Sequence, residues 1–302
     1  MKNCLLTIAI SLLLSPSVFS QVTAAPTKES AKDSAKKSKK EENPYLRILR
    51  DRRGEPTAMQ TSIVTFKFRD QNKKDVVLDL IGAVHVADES YFKQLNRLFT
   101  GYESLLYELV APADNNVPTG GKSQHPIGQM QQTMKSMLEL SYQLEEVDYT
   151  KKNFVHADMS PDEFASVMEQ RGESFYQMLW RAMGAAMAKQ SASGNSSDAE
   201  LLFALFAKNR SLRLKRVMST QFSDLEASMK AIEGENGSTI IGQRNKKCLD
   251  VLEREIDKGT KRIGIFYGAG HFPDMEKRLA ERFGLYPDQK SVRWLTAWDM
   301  ED

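Results

Sequence analysis

Tyr267-Gly268-Ala269-Gly270-His271-Phe272-Pro273-Asp274 repeats, in kind, an earlier stretch, Ile81-Gly82-Ala83-Val84-His85-Val86-Ala87-Asp88. Each follows an apolar run that reads as a strand, and each opens a segment with helical spacing. In both, a glycine stands three residues before a histidine, and the chain has only four histidines. A strand that ends in a Gly-rich turn and enters a helix presents side chains at the sheet edge. There, backbone N–H groups and the helix dipole add positive potential. These two segments decide the fold class: α/β, a mixed β-sheet core with flanking helices built from two strand–GxxH–helix units, plus an inserted helical subdomain.

Working outward from the first unit, Ile63–Phe68 alternates, with Val64, Phe66 and Phe68 on one face. Val76–Ile81 reads as a second, more fully buried strand, and the polar run Asp70–Asp75 between them predicts a hairpin turn. Asp88 is placed to cap a helix carrying Phe92, Leu95 and Phe99, which Gly101 ends. Ser104–Val110 predicts the next strand, with Glu108 inside an apolar run. Around the second unit, a helix from about Ile241 carries Leu249, Leu252 and Ile256 and stops at Gly259. Arg262–Tyr267 predicts a strand, Pro273–Phe283 a helix closed by Gly284, and Val292–Trp298 the last strand.

The middle of the chain reads as helical and Met-rich. One helix is expected over about Gln129–Glu146. A second starts at Ser160-Pro161-Asp162-Glu163, a capping box with Pro at the first helical position, and runs through Met178, Trp180 and Met187 to a polar break at Ser191–Ser197. Further helices follow from about Asp198 and over Ser223–Gly234. The main domain is thus 44–302 with a helical insertion at about 124–235, and its Met and aromatic residues read as packing. This insertion is expected to cover the site without supplying its chemistry.

Residues 1–20 read as a signal peptide: Lys2, then the uncharged run Cys4–Leu14, then Val18-Phe19-Ser20 before a cut. The run falls short of the roughly 20 residues a spanning helix needs. No membrane-spanning segment is expected after cleavage, and the expected location is exported, periplasmic or extracellular. Cys248 is then the only cysteine left, so no internal disulfide forms. Gln21–Asn43 is Ala, Ser, Lys and Glu with almost no large apolar residue and reads as a disordered linker. Seven of the 42 basic and four of the 40 acidic residues fall in 1–43, leaving 35 against 36 for the rest, a net of −1. A nucleic-acid binder usually shows a basic domain, so polyanion binding is disfavoured and no nucleic-acid partner is expected. With 41% hydrophobic and 27% charged residues, the bulk of the chain can bury a core.

His85 and His271, each placed at the end of a strand, can converge with Glu108 from a third strand. Two imidazoles and one carboxylate suffice to hold a divalent metal while leaving a position for water. Gly82 and Gly268 are assigned the turns of the site. Arg244 and Asn245 open a helix where a cation opposes the dipole, which points to a carboxylate or ligand partner. His156 and Asp158 precede the capped helix and read first as turn and cap chemistry, with Asp158 a possible accessory of the site. His125 precedes Pro126 in a polar loop and reads as inert. HExxH, CxxC, GxSxG and Walker motifs do not occur.

The two GxxH motifs, the glutamate of Leu106-Tyr107-Glu108-Leu109 and the segment Gln243-Arg244-Asn245 together resemble the TIKI/TraB superfamily, which includes TraB, PrgY and GumN-type proteins. The resemblance covers roughly Tyr45–Asp302. It implies a mixed α/β fold with His85, Glu108, Arg244 and His271 lining one site. It also implies a metal-dependent hydrolase, most readily a peptidase, using Mn, Co or Zn on a peptide or protein substrate. His85, His271 and Glu108 would be ligands, with Glu108 alternatively the general base. Arg244 would meet the developing oxyanion or a substrate carboxylate. The family's usual Glu-Arg-Asn appears here as Gln243-Arg244-Asn245, one carboxylate fewer. Two other readings stay open: a module that binds or sequesters a peptide, metal or haem without turnover, and a metal-independent His-based hydrolase. Neither the metal's identity nor the oligomeric state is set by the sequence.

Overall fold

The apolar runs ahead of the two histidine motifs become adjacent parallel strands in the computed structural model, which describes residues 44–70, 74–111, 140–173, 204, 207, 209–219 and 239–301. The strands are β1 (Leu46–Arg50), β2 (Pro56–Arg69), β3 (Asp75–Ala83), β4 (Val86–Ala87), β5 (Ser104–Tyr107), β6 (Ser141–Tyr142), β7 (Phe154–His156), β8 (Arg262–Gly268) and β9 (Arg293–Asp299). The helices used below are α1 (Glu89–Phe99), α2 (Gln143–Glu146), α3 (Pro161–Gln170), α4 (Arg244–Asp257) and α5 (Phe272–Phe283).

One half of the main sheet is antiparallel and the other parallel. Long β2 takes β1 along Pro56–Thr61, β3 along Ile63–Arg69 and β9 along Ala58–Ile63, all antiparallel. From β3 the order continues β8, β5, β7, and every one of these pairings is parallel. Parallel strands need cover on both faces, and the pleat supplies apolar groups to each. Leu78 and Leu80 of β3, Leu106 of β5 and Ile263, Ile265 and Tyr267 of β8 pack with Leu249 and Leu252 of α4 and Phe272, Met275 and Leu279 of α5. Ile81, Leu105 and Phe266 pack with Tyr91, Phe92, Leu95 and Phe99 of α1. On the α1 face β8 carries Gly264, where an added Cβ would lie 2.7 Å from Leu105 Cδ1 and 3.1 Å from Ile81 Cδ1. Side-chain volume there belongs to the neighbouring strands.

Local signals are obeyed at most helix ends. Ser160 Oγ accepts from Glu163 N at 3.1 Å while Glu163 Oε2 accepts from Ser160 N at 2.9 Å, the expected capping box. Gly284 closes α5 at φ 67°. Four expectations need correction. Asp88 sits at the N-cap of α1 but makes no capping bond, because Oδ1 accepts from Lys215 Nζ at 2.6 Å and Oδ2 from Asp299 N at 2.7 Å. The strand expected over Ser104–Val110 ends at Tyr107, so Glu108 lies beyond it. The helix expected to run from Ser160 through Met187 to a break at Ser191–Ser197 stops at Gln170, where Arg171 caps it and Gly172 turns at φ 62°. Ser141 and Tyr142, expected inside a helix, pair instead with Ala87 and Val86 as a two-stranded sheet.

The stretch expected to be a helical insertion also returns a strand, β7, to the main sheet, and residues 210–219 within it are helical. The signal, the linker, His125, the bulk of the helix at 129–146, Met178 to Met187, and the helices from Asp198 and over Ser223–Gly234 lie outside the described residues, apart from the short pieces just given. Among the described residues no helix is long and apolar enough to cross a membrane.

Candidate functional site

β3, β8, β5 and β7 run the same way, so their carboxyl ends share one edge, where ligands collect in open α/β sheets. His85 follows β3, Glu108 follows β5, Asp158 follows β7, and Gly268 ends β8. His271 closes the single 3-10 turn Ala269–His271 that joins β8 to α5. Arg244 and Asn245 arrive from the other direction, as the first residues of α4, behind a π-helical turn at Thr239–Gln243. Such turns recur at functional positions.

Arg244 is the hub. Its Nη2 donates to Glu108 Oε1 at 2.7 Å, and its Nε to Asp158 Oδ1 at 2.9 Å. Nη2 also donates to Asp158 Oδ2, completing a two-bond fork on that carboxylate. Asp158 has a fully buried side chain, and those of Arg244 and Glu108 are 11% and 9% exposed. This resolves the cation at the helix start: two buried carboxylates outweigh the dipole that opposes it. Asp158 is therefore a member of the site; its assignment to turn and cap chemistry is corrected in part, and so is the expectation that the stretch 124–235 supplies none of the site's chemistry. It still accepts from Met159 N at 2.8 Å.

Glu108 is held from three sides. Gly268 N donates to its Oε2 at 2.6 Å, Arg244 takes Oε1, and His271 Nε2 faces the same Oε1 at 3.4 Å. Burial by itself would raise the Glu108 pKa, but His271, Arg244 and His85 together outweigh it and hold the carboxyl well below its ordinary range. The expected role of Gly268 is refined. Its φ is −50°, so no left-handed turn is required. A Cβ there would lie 3.2 Å from Glu108 Oε2 and 3.7 Å from His271 Cδ2. Gly82 is not at a turn either; it lies inside β3, and a Cβ would lie 3.1 Å from Ser62 O.

His271 is clamped by Asn245. Its Nδ1 lies 2.7 Å from Asn245 Oδ1, while Asn245 Nδ2 donates to His271 O at 2.9 Å and to Asp274 Oδ2 at 2.8 Å. Those last two partners can only accept, so the amide orientation is fixed and Oδ1 must accept from Nδ1–H. The ring therefore turns Nε2 toward Glu108. His85 is exposed, with Nδ1 3.2 Å from Gln143 Oε1. His156 belongs elsewhere, with Nε2 2.6 Å from Leu109 O.

The structure thus brings Glu108, Arg244, Asp158, Asn245, Gly268 and His271 into one connected cluster, with His85 at the same edge. Sequence reasoning missed Gln143 and Tyr149, whose hydroxyl accepts from Gln143 Nε2 at 2.7 Å. It also missed Tyr267, whose hydroxyl donates to Ala157 O at 2.6 Å and anchors the turn before Asp158. No local signal marks any of the three.

The donor chemistry fits a cation between His271 and Glu108. Glu108 and Asp158 against Arg244 leave one uncompensated negative charge, which a bound cation would offset. An imidazole nitrogen and a carboxylate oxygen are ligand types that Mn, Co and Zn accept. Among the described residues no group of three His, Cys, Asp or Glu stands ready-made to hold a metal. The fold and site define a mixed α/β protein with a buried Arg–carboxylate–His cluster at the carboxyl edge of its parallel strands. Comparison with protein-family models, with curated proteins and with solved structures finds no match.

Proposed function

We propose that the chain is an exported, metal-dependent hydrolase of the TIKI/TraB superfamily, acting on a peptide or protein substrate. The observation that carries this is the pair His271 Nε2 and Glu108 Oε1, 3.4 Å apart, with the other ring nitrogen occupied by Asn245. His271, Glu108 and the nearby His85 would hold the ion. A divalent ion there would polarise a scissile carbonyl and lower the pKa of water.

The chain's own residues then have distinct tasks. Glu108, kept anionic by His271 and Arg244 despite its burial, suits a ligand better than a general base, because a carboxyl held this far down is a weak proton acceptor. Arg244 spends Nε and Nη2 on carboxylates and so positions Glu108, while Nη1, with only a 3.5 Å contact to Ile240 O, is the part of the guanidinium left to meet an oxyanion or substrate carboxylate. Asp158 holds that guanidinium in its plane. Gly268 N orients the far oxygen of Glu108.

The deciding experiment is metal analysis of the full chain purified without chelator, followed by peptide hydrolysis with Mn, Co or Zn added. The expected result is a bound divalent ion that His271→Ala abolishes, with turnover that depends on it. Stoichiometric binding without turnover would favour the sequestering module. Turnover indifferent to chelator would favour His-based hydrolysis without metal.

A further inference from the structure

The two GxxH histidines share a device that lies outside the GxxH pattern itself. At each, one amide residue grips both the ring Nδ1 and the backbone carbonyl of the histidine. Asn245 does so with one side chain, Oδ1 at 2.7 Å from Nδ1 of His271 and Nδ2 donating to His271 O at 2.9 Å. Gln143 does so with side chain and backbone, Oε1 at 3.2 Å from Nδ1 of His85 and its own N–H donating to His85 O at 3.0 Å. The two amides come from unrelated elements. Asn245 is the second residue of α4, and Gln143 follows β6, which the β4–β6 pairing lays alongside the residues after His85.

A carbonyl oxygen can only accept, so each contact requires the proton on Nδ1. The Asn245 amide is oriented by acceptor-only partners, whereas the Gln143 amide meets a hydroxyl. For Asn245 these are the His271 carbonyl and Asp274; for Gln143 it is the Tyr149 hydroxyl at 2.7 Å. Tyr149 is buried, and burial pushes its phenol far above the ordinary range, so it keeps its hydroxyl proton; since a hydroxyl both donates and accepts, the His85 tautomer itself reports which way the Gln143 amide faces. Gln143 is itself only 4% exposed although His85 is exposed, so a buried group disciplines a surface ring.

We propose that Gln143 and Asn245 are matched positioning residues that lock His85 and His271 in the Nδ1–H tautomer, so that both rings offer an unprotonated Nε2 at the strand edge. Second-sphere partners that fix a ring's tautomer and direction are what ligating or proton-accepting imidazoles need. The inference gives detail to the proposed site, but its test requires neither metal nor turnover, so each can fail alone.

The test is long-range proton–nitrogen correlation NMR on the 15N-labelled full chain after chelator treatment, at a pH where the rings are neutral. The four histidines are assigned by single His→Ala variants. Both His85 and His271 should show a pyrrole-type Nδ1 and a pyridine-type Nε2. Gln143→Ala should exchange these positions at His85 and leave His271 unchanged, whereas Gln143→Glu, which keeps an accepting oxygen, should restore the parent pattern. Asn245→Ala should do the same at His271 alone. A parent spectrum with Nε2–H at either ring overturns the proposal, as does an unchanged His85 in Gln143→Ala. If Asn245→Ala fails to fold, the parent spectrum and Asn245→Asp still decide the His271 half.

Discussion

The two GxxH turns leave neighbouring parallel strands at the same edge, yet His85 is exposed while His271 is 6% exposed. Their local sequences do not explain the difference; what packs over them does. β8 passes through a one-turn 3-10 helix straight into α5, and the start of α4 is bonded to that junction through Asn245. β3 passes instead into two-residue β4, whose partner is equally short β6, and four-residue α2 follows. The His271 turn is therefore embedded in an ion-paired core, and the His85 turn is a surface strap. A shared motif sets direction out of the sheet; tertiary cover sets the environment.

That contrast can be broken most severely at Arg244. Replacing it with Ala leaves Glu108 and Asp158 as two buried carboxylates without their cation. Removing one partner of a buried pair costs about 3–5 kcal/mol, so Arg244→Ala should show that loss in denaturant unfolding, or fail to accumulate as folded protein. An Arg244→Ala variant as stable as the parent would mean the cluster is wet and the contrast between the turns is false.

Of the two turns, acid should act through the embedded one. Burial would raise the Glu108 pKa, but the His271, Arg244 and His85 charges lower it well below the ordinary 4.5. The folded state therefore binds this proton less readily than the unfolded one. Its stabilising contribution is complete above pH 4.5 and is lost as pH falls from there through the lower folded value. Unfolding midpoints followed down from neutral pH should drop below that point, and Glu108→Gln should lessen the drop, the remainder coming from other carboxylates held low, such as Glu173 and Glu255.

His271→Ala comes next. It strands Asn245 Oδ1 in a buried position, and a buried acceptor left unmet costs about 1–3 kcal/mol. Thermal and denaturant midpoints should fall accordingly, independently of any effect on metal.

How far the sequence reveals this contrast depends on the length of each signal. β3, β8, α1, α4 and α5 are legible because their apolar runs and stop residues extend over many positions, with Gly259 and Gly284 at the ends of α4 and α5. Three-residue β7 is not, since Phe154–His156 is too short for any periodicity to register. Asp158 looks like a turn residue because its partner, Arg244, lies 86 positions away. Asp88 has the right residue type and place for a cap, but Lys215 and Asp299 outbid the helix for its oxygens, and nothing local foretells that. Gln143 falls in a stretch with helical character whose pairing to β4 is purely tertiary. Glu108 was placed by its chemistry better than by its pattern. A buried carboxylate needs a partner, and Arg244 and His271 are that partner although the strand itself ends one residue earlier.

The smallest effect is expected at His85. Its ring is exposed, so truncation opens no cavity, and Nδ1 makes one 3.2 Å contact. The carbonyl of residue 85 survives the change, so Gln143 N keeps its acceptor and the β4–β6 pairing keeps its register. What is lost is an acceptor's partner at Gln143 Oε1, beside a surface that water can reach once the ring has gone. Surface substitutions without a buried consequence stay within about 0.5 kcal/mol, and His85→Ala should fall in that range by denaturant unfolding. Under the proposed function the same variant should nevertheless lose metal affinity and hydrolysis as thoroughly as His271→Ala does. Stability unchanged with function gone would mark the exposed turn as working surface and the buried one as both working surface and scaffold. Stability lost at His85 to the same degree as at His271 would show instead that the two turns are equivalent, and that the strap is as embedded as the core.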